Sequence, residues 1–221
     1  MKNTPVHEIP NFDLLKLIPK DLKKIIEVGC SSGVLANEYK KNNSRGEYIG
    51  IEIDEEYGNL ARRYCDQVLV GDIEKFDQDF WEGHSNCDYW IFADVLEHLK
   101  DPWKILKKIS SLPHKNTVVA CIPNIQHWSI PALISIGDFH YQDMGLLDRT
   151  HLRFFTRKTI IDLFQKNGFF ITELQARTFS QPNEKFLDCI KAMATLQGAD
   201  PEEAARDAAP LQYLVRAVSY S

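Results

Sequence analysis

The run Ile25-Ile26-Glu27-Val28-Gly29-Cys30-Ser31-Ser32-Gly33 constrains this chain more than any other. A strand-like apolar stretch ends at one glycine, and a second glycine follows where a helix can open. Glycine accepts the left-handed backbone of a tight strand-to-helix turn, and without a Cβ it lets a ligand approach the main chain. In an open α/β sheet, ligands sit at the carboxyl ends of the strands, so this turn marks one wall of a site. It is not a dinucleotide fingerprint, because GxGxxG from Gly29 would need glycines at Ser31 and Val34. It is not a P-loop either, since no Gly-Lys-Ser/Thr follows.

The same alternation continues along the chain. Strands are expected at Lys24–Val28, Glu47–Ile53, Gln67–Val70, Asp88–Ala93 and Thr117–Ile122, and helices near Gly33–Lys41, Glu55–Tyr64, Pro102–Ser111 and Arg157–Asn167. Most strand cores are continuous apolar runs, as a parallel sheet covered on both faces requires. Phe169–Ala176 and Leu211–Ser219 add two strands, a pair free to be antiparallel. Between them Glu184–Gln197 and a start at Asp200-Pro201 read as helices, with Glu184–Ala209 taken as packing material. We expect one α/β domain over residues 1–221, a doubly wound, seven-stranded, mostly parallel sheet with an antiparallel last strand. Residues 21–122 would form the cofactor-binding core, 123–156 the acceptor segment, and 157–221 the C-terminal helix, strand pair and helical insert.

Composition excludes several partners. Against 31 acidic residues stand 26 Lys and Arg, a net −5, so no basic field draws the chain to nucleic acid. No apolar run approaches the ~20 residues of a membrane helix. Met1–Pro10 carries His, Glu and two prolines where a signal peptide would be apolar. Five scattered cysteines without CxxC spacing argue for a reducing, cytoplasmic setting.

The acids after the strands narrow the ligand. Glu27 beside the turn would repel a phosphate, yet it could accept from an ammonium group. Glu52, ending the second strand, can take both hydroxyls of a ribose. Asp72, after the third, could accept from an adenine amino group. Ribose, adenine and ammonium acceptors without a phosphate cradle describe S-adenosylmethionine better than NAD or ATP.

Glu27-x-Gly29-x-x-x-Gly33, Glu52, Gly71-Asp72 and Phe92-Ala93-Asp94-Val95-Leu96-Glu97-His98 resemble the successive motifs of class I S-adenosylmethionine-dependent methyltransferases. The resemblance covers about residues 21–168, with Ser31 standing where that family often has glycine. It implies cofactor contacts at Glu27, Gly29, Cys30, Ser31, Gly33, Glu52, Ile53, Asp72, Ile73, Ala93 and Asp94. The segment from Ile122 to Thr156 resembles methyltransferase domains found beside glycosyltransferases in bacterial polysaccharide clusters.

A hydroxyl acceptor needs a base, usually a histidine or carboxylate. His98 and His151 are the candidates, with His127 and His140 as further histidines of the acceptor segment. If Asp94-Val95-Leu96-Glu97-His98 is helical, Asp94, Glu97 and His98 share a face that could suit Mg²⁺ or Mn²⁺. Such a face arises easily by chance, so no metal is expected. Asn124, His127, Tyr141, Arg149 and Arg153 are the candidate acceptor contacts. Residues 148–158 hold Asp148 against Arg149, Arg153, Arg157 and Lys158, a cationic stretch that could suit an anionic acceptor. The expected activity is O-methylation of a sugar or another small hydroxylated metabolite, on a free or glycan-linked acceptor. The alternatives are N-methylation of an amino sugar or natural-product amine, and a cofactor-binding regulatory subunit without turnover. A homo-oligomer is left open.

Overall fold

A computed structural model describes residues 8–43, 45–180 and 182–220. The reading of Met1–Pro10 as no leader falls mostly outside the described residues. The strands are β1 (Lys24–Val28), β2 (Glu47–Glu52), β3 (Gln67–Val70), β4 (Tyr89–Ala93), β5 (Thr117–Pro123), β6 (Phe169–Arg177) and β7 (Gln212–Ser219). They form one sheet in the order β3-β2-β1-β4-β5-β7-β6. β1 to β5 are parallel, and β7 lies antiparallel between β5 and β6. The strand order reverses between β1 and β4, which opens a crevice at their carboxyl ends.

The helices are α1 (Phe12–Leu15), α2 (Val34–Lys40), α3 (Glu55–Ala61), α4 (Gln78–Gly83), α5 (Pro102–Ser110), α6 (Ser129–Ser135), α7 (Arg157–Gln165), α8 (Glu184–Leu196) and α9 (Pro201–Asp207). Alternating residues of β1, β2, β4 and β5 enter different apolar clusters, which is why these strand runs are largely apolar throughout. Ile26, Trp90 and Val118 pack with Leu106 of α5 and Phe164 of α7. Their neighbours Ile25, Ile91 and Val119 pack with Leu14 of α1, Leu35 of α2 and Ala61 of α3.

Three short helices escape the sequence reading: α1, α4 and α6. Each is too short for an apolar period to show. α4 is set instead by Asp77, whose side chain caps Phe80 N–H, and by buried Trp81, stacked 5.5 Å from Trp90. α6 tolerates Pro131 because it lies in the first turn, where its missing N–H needs no partner. The segment read as packing material buries little of α8. Of that helix only Ala194 is buried, while Met193 and Leu196 stay exposed. No helix of the described residues is long and apolar enough to cross a membrane.

Candidate active site

The N–H groups of the glycine turn after β1 are answered mostly by the end of β2. Gly29 and Gly33 take φ of +70° and +79°, and Ser31 between them takes +48°. Gly29 and Cys30 donate N–H to the Ile51 carbonyl, and Gly33 donates to Cys30. Ser31 N–H reaches Glu52 Oε2 at 2.7 Å. With these four donors answered, the turn has lost the convergent N–H groups of a phosphate cradle. A Cβ on Gly29 would lie 2.5 Å from Val95 Cγ2, so glycine is required by space as well as by φ. Behind the turn, the Cys30 thiol lies beside Cys65 against Gly50, and that neighbour together with burial pushes its pKa far up. Glu27 is buried and accepts from the Tyr48 hydroxyl at 2.9 Å; burial raises its carboxyl well above the usual range.

A cleft of about 750 Å³ opens at the carboxyl ends of the parallel strands. Gly29, Ser31, Glu52, Ile53, Asp72, Ile73, Ala93 and Asp94, all singled out from sequence, line it. Glu52 is buried, with one oxygen on Ser31 N–H and the other on Asp54 N–H at 3.0 Å. Each carboxylate oxygen accepts more than one hydrogen bond, so the pair can still take two hydroxyls. Ile53 ends outside β2 and is exposed, a flat apolar surface on the rim. Asp72 caps Glu74 N–H at 3.0 Å, which fixes it at the end of β3. Glu27, Cys30 and Gly33 do not line this cleft; Glu27 and Cys30 border a smaller compartment behind the turn.

His98 and His151 line the same cleft and meet each other, their rings edge to face with centroids 4.7 Å apart. The acceptor segment is tied there by Leu152 and Arg153, whose N–H groups both donate to the Glu97 carbonyl. His98 Nδ1 faces the Thr150 carbonyl at 3.2 Å and the Thr150 hydroxyl at 3.1 Å. That hydroxyl gives its own proton to Asp148 Oδ1 at 2.7 Å, so both groups facing Nδ1 are acceptors. In neutral His98 the proton therefore sits on Nδ1 and the basic lone pair on Nε2. His151 Nδ1 faces the Leu146 carbonyl at 3.3 Å; burial and then the neighbouring His98 lower its pKa.

The helical face of Asp94, Glu97 and His98 considered as a metal set is not formed. Leu96–His98 is a single 3₁₀ turn and Asp94 lies before it at φ +55°, so the helical spacing on which that set depended is absent. The acid and histidines that do converge are Glu97, His98 and His151, whose ligand atoms lie within 4.8 Å of one another. Glu97 is buried, neither carboxylate oxygen has a hydrogen-bond partner among the described residues, and burial raises its pKa strongly.

The five candidate acceptor contacts are not brought into the cleft. Asn124 is fully buried, donating to the Asp207 and Pro210 carbonyls and accepting from Gln126 N–H, so it braces β5 against the chain before β7. His127 is buried beside the Ser129 hydroxyl at 2.7 Å. Tyr141 is exposed, and Arg149 pairs with Asp143 at 2.6 Å. Arg153 lies over the Trp103 ring and donates to the Lys100 carbonyl. His140 pairs with Asp138 on the surface. Sequence reasoning missed Gln212, which lines the cleft from the start of β7, and Arg177, which lines the smaller compartment. It also left Asp148 and Thr150 without roles, although Asp-x-Thr is a spacing that favours local side-chain bonds.

Residues 8–174 match the family model described as a methyltransferase domain. Among curated proteins, the ubiquinone biosynthesis O-methyltransferase of Acinetobacter baylyi is 29% identical over 94 residues, covering 41% of this chain and 39% of that protein. That of Actinobacillus pleuropneumoniae serotype 7 is 25% identical over 97 residues, covering 41% of each. The chain spans about two fifths of the length of these curated relatives. Among solved structures, a SAM-dependent methyltransferase from Archaeoglobus fulgidus aligns with TM-score 0.63 and 17% identity over 94% of this chain and 92% of that one. Magnesium protoporphyrin IX methyltransferase of Synechocystis PCC 6803, solved with bound SAH, aligns with TM-score 0.59 and 12% identity over 95% and 80%. At such identities the likeness is one of fold.

Proposed function

The chain belongs to the methyltransferase domain family, and we propose that it uses S-adenosylmethionine to methylate an oxygen of a small, uncharged, hydroxyl-bearing acceptor. The observation that carries this reading is that one cleft is lined both by Gly29, Glu52 and Asp72 at the strand ends and by His98 and His151. The residues fit the cofactor. Glu52 is held by two N–H donors with capacity left for ribose hydroxyls, and Asp72 stands at the next strand end. When bound, the cofactor supplies a sulfonium methyl, so the acceptor oxygen gains carbon and must lose its proton. His98 Nε2 receives that proton, because Nδ1 already carries one. The walls hold the acceptor in line, which removes much of the entropic barrier.

No lysine or arginine among the described residues lines the cleft, whereas Glu52, Asp72, Asp94 and Glu97 do. This turns us from the anionic acceptor suggested by Arg149 and Arg153 towards a neutral sugar or another uncharged hydroxylated metabolite. The O-methyltransferase names of the curated relatives support oxygen over nitrogen. The free cysteines support a cytoplasmic setting. Radiolabelled cofactor offered with neutral sugars, phenols, nucleotide sugars and amino sugars tests the proposal. Label on a neutral hydroxyl is the expected result. Label confined to amines would move the activity to nitrogen, and cofactor binding without transfer to any acceptor would favour a regulatory subunit.

One observation favours a metal-assisted variant: the Glu97 carboxylate, without a hydrogen bond and 4.0 Å from His151 Nε2, lies beside two histidines. There a divalent ion would lower the pKa of the acceptor hydroxyl. The metal-free route stands first, because burial favours the neutral, poorly ligating form of Glu97. Activity that survives EDTA supports it, and loss restored by Mg²⁺ or Mn²⁺ replaces it with the metal route.

A further inference from the structure

Behind the glycine turn, a compartment of about 280 Å³ shares Gly29, Ser31, Ala93 and Asp94 with the main cleft. It adds Arg177, the last residue of β6 and the one Lys or Arg among the described residues that lines either cavity. Arg177 is held from several sides. Its Nε donates to Asp13 Oδ2 at 3.1 Å, its Nη1 donates to Gln212 Oε1 at 2.7 Å, and its guanidinium lies over the Phe179 ring. The other end of the same amide, Gln212 Nε2, donates to Asp94 Oδ1 at 2.6 Å. A cation and an anion are thus fixed at opposite ends of one carboxamide, beside the turn. Among the described residues Arg177 Nη2 makes no hydrogen bond, leaving part of the fork for an incoming anion.

A cation and an anion one amide apart are the complement of an α-amino acid, whose ammonium and carboxylate share one carbon. Glu27, the acid that the sequence offers for the ammonium, borders the same compartment but is buried, and one of its oxygens is taken by the Tyr48 hydroxyl. We propose that Asp94, Gln212 and Arg177 form a zwitterion clamp for the amino-acid end of S-adenosylmethionine, with Arg177 on the α-carboxylate and Asp94 facing the α-ammonium. The clamp rests on the cofactor reading above. The competing role for Arg177 is purely structural, pinning α1 to the sheet through Asp13.

Binding separates the two roles. The full chain is titrated calorimetrically with S-adenosylhomocysteine and with 5′-methylthioadenosine, which keeps the nucleoside but lacks the amino-acid end. Arg177→Met should weaken S-adenosylhomocysteine by about 10- to 100-fold, the loss of a charged hydrogen bond, and leave methylthioadenosine within about twofold. Arg177→Lys should recover part of the loss. Equal weakening of both ligands, or no weakening of S-adenosylhomocysteine, overturns the clamp. Should Arg177→Met fail to fold, the wild type carries the test with the decarboxylated analogue of S-adenosylhomocysteine. At least about a tenfold loss is expected there, and equal affinity overturns the proposal. A wild type that binds none of these ligands fails on the cofactor reading itself, and the clamp falls with it.

Discussion

At the glycine turn, backbone N–H groups are answered by the strand end next door, Ile51 and Glu52. At His98 the fixing partner is Thr150, 52 residues away in sequence. The first wall is therefore as rigid as the sheet that carries it. The second is only as well placed as the contacts of one long segment, notably the two N–H groups on the Glu97 carbonyl. A site divided in this way should let cofactor binding and acceptor chemistry be damaged separately.

The largest effect should fall on the loop-built wall. His98→Ala is expected to lower turnover by ~10²–10⁴-fold at neutral pH, with the dissociation constant for S-adenosylhomocysteine held within about twofold. Single-turnover rates and titration calorimetry read the two quantities, and a parallel loss of both would dissolve the distinction between the walls. The converse change is Glu52→Ala, expected to weaken S-adenosylhomocysteine by ~1.5–3 kcal/mol, or roughly 10- to 150-fold. It removes the proposed ribose acceptors and also the anchor of Ser31 N–H. An unchanged affinity would take the ribose away from this strand end.

A smaller, pH-dependent effect belongs to Glu97. Its folded pKa is raised by burial above the ordinary 4.5. Below that value both states hold the proton and there is no penalty. As pH rises above it the unfolded chain ionises first, so stability falls with pH until the folded group also ionises. Glu97→Gln removes this ionisation and should raise the melting temperature more at pH 8 than at pH 4. Thermal unfolding across that range checks it, and destabilisation at pH 8 would count against a neutral Glu97. The smallest effects are expected from Arg149→Ala and Arg153→Ala, neither of which lines the cleft. Turnover within about twofold of wild type follows, because both side chains are engaged by protein groups outside it. A large loss for either would return the anionic acceptor to consideration.

The sheet was legible because each strand carries its signal locally. Lys24–Val28 and Gln67–Val70 are bounded as expected, and the others shift by a residue at an end. The glycine turn was legible because φ and close packing both demand glycine at Gly29, and few residue types satisfy that. Asn124 misled because its chemistry is visible in sequence but its address is not. A buried amide serving the carbonyls of Asp207 and Pro210 looks the same in sequence as one serving a ligand. Gln212 and Asp94 stand 118 residues apart, and Arg177 and Asp13 stand 164 apart. No local period encodes such pairs; they exist only once β6 and β7 have closed the sheet beside β5.

The claim on which the rest depends is that the strand-end wall holds an S-adenosyl nucleoside rather than a dinucleotide. Calorimetric titration of the wild-type chain with S-adenosylhomocysteine and, separately, with NAD tests it most directly. Saturable binding of S-adenosylhomocysteine with no response to NAD is the expected result; binding of NAD with no response to S-adenosylhomocysteine would contradict it.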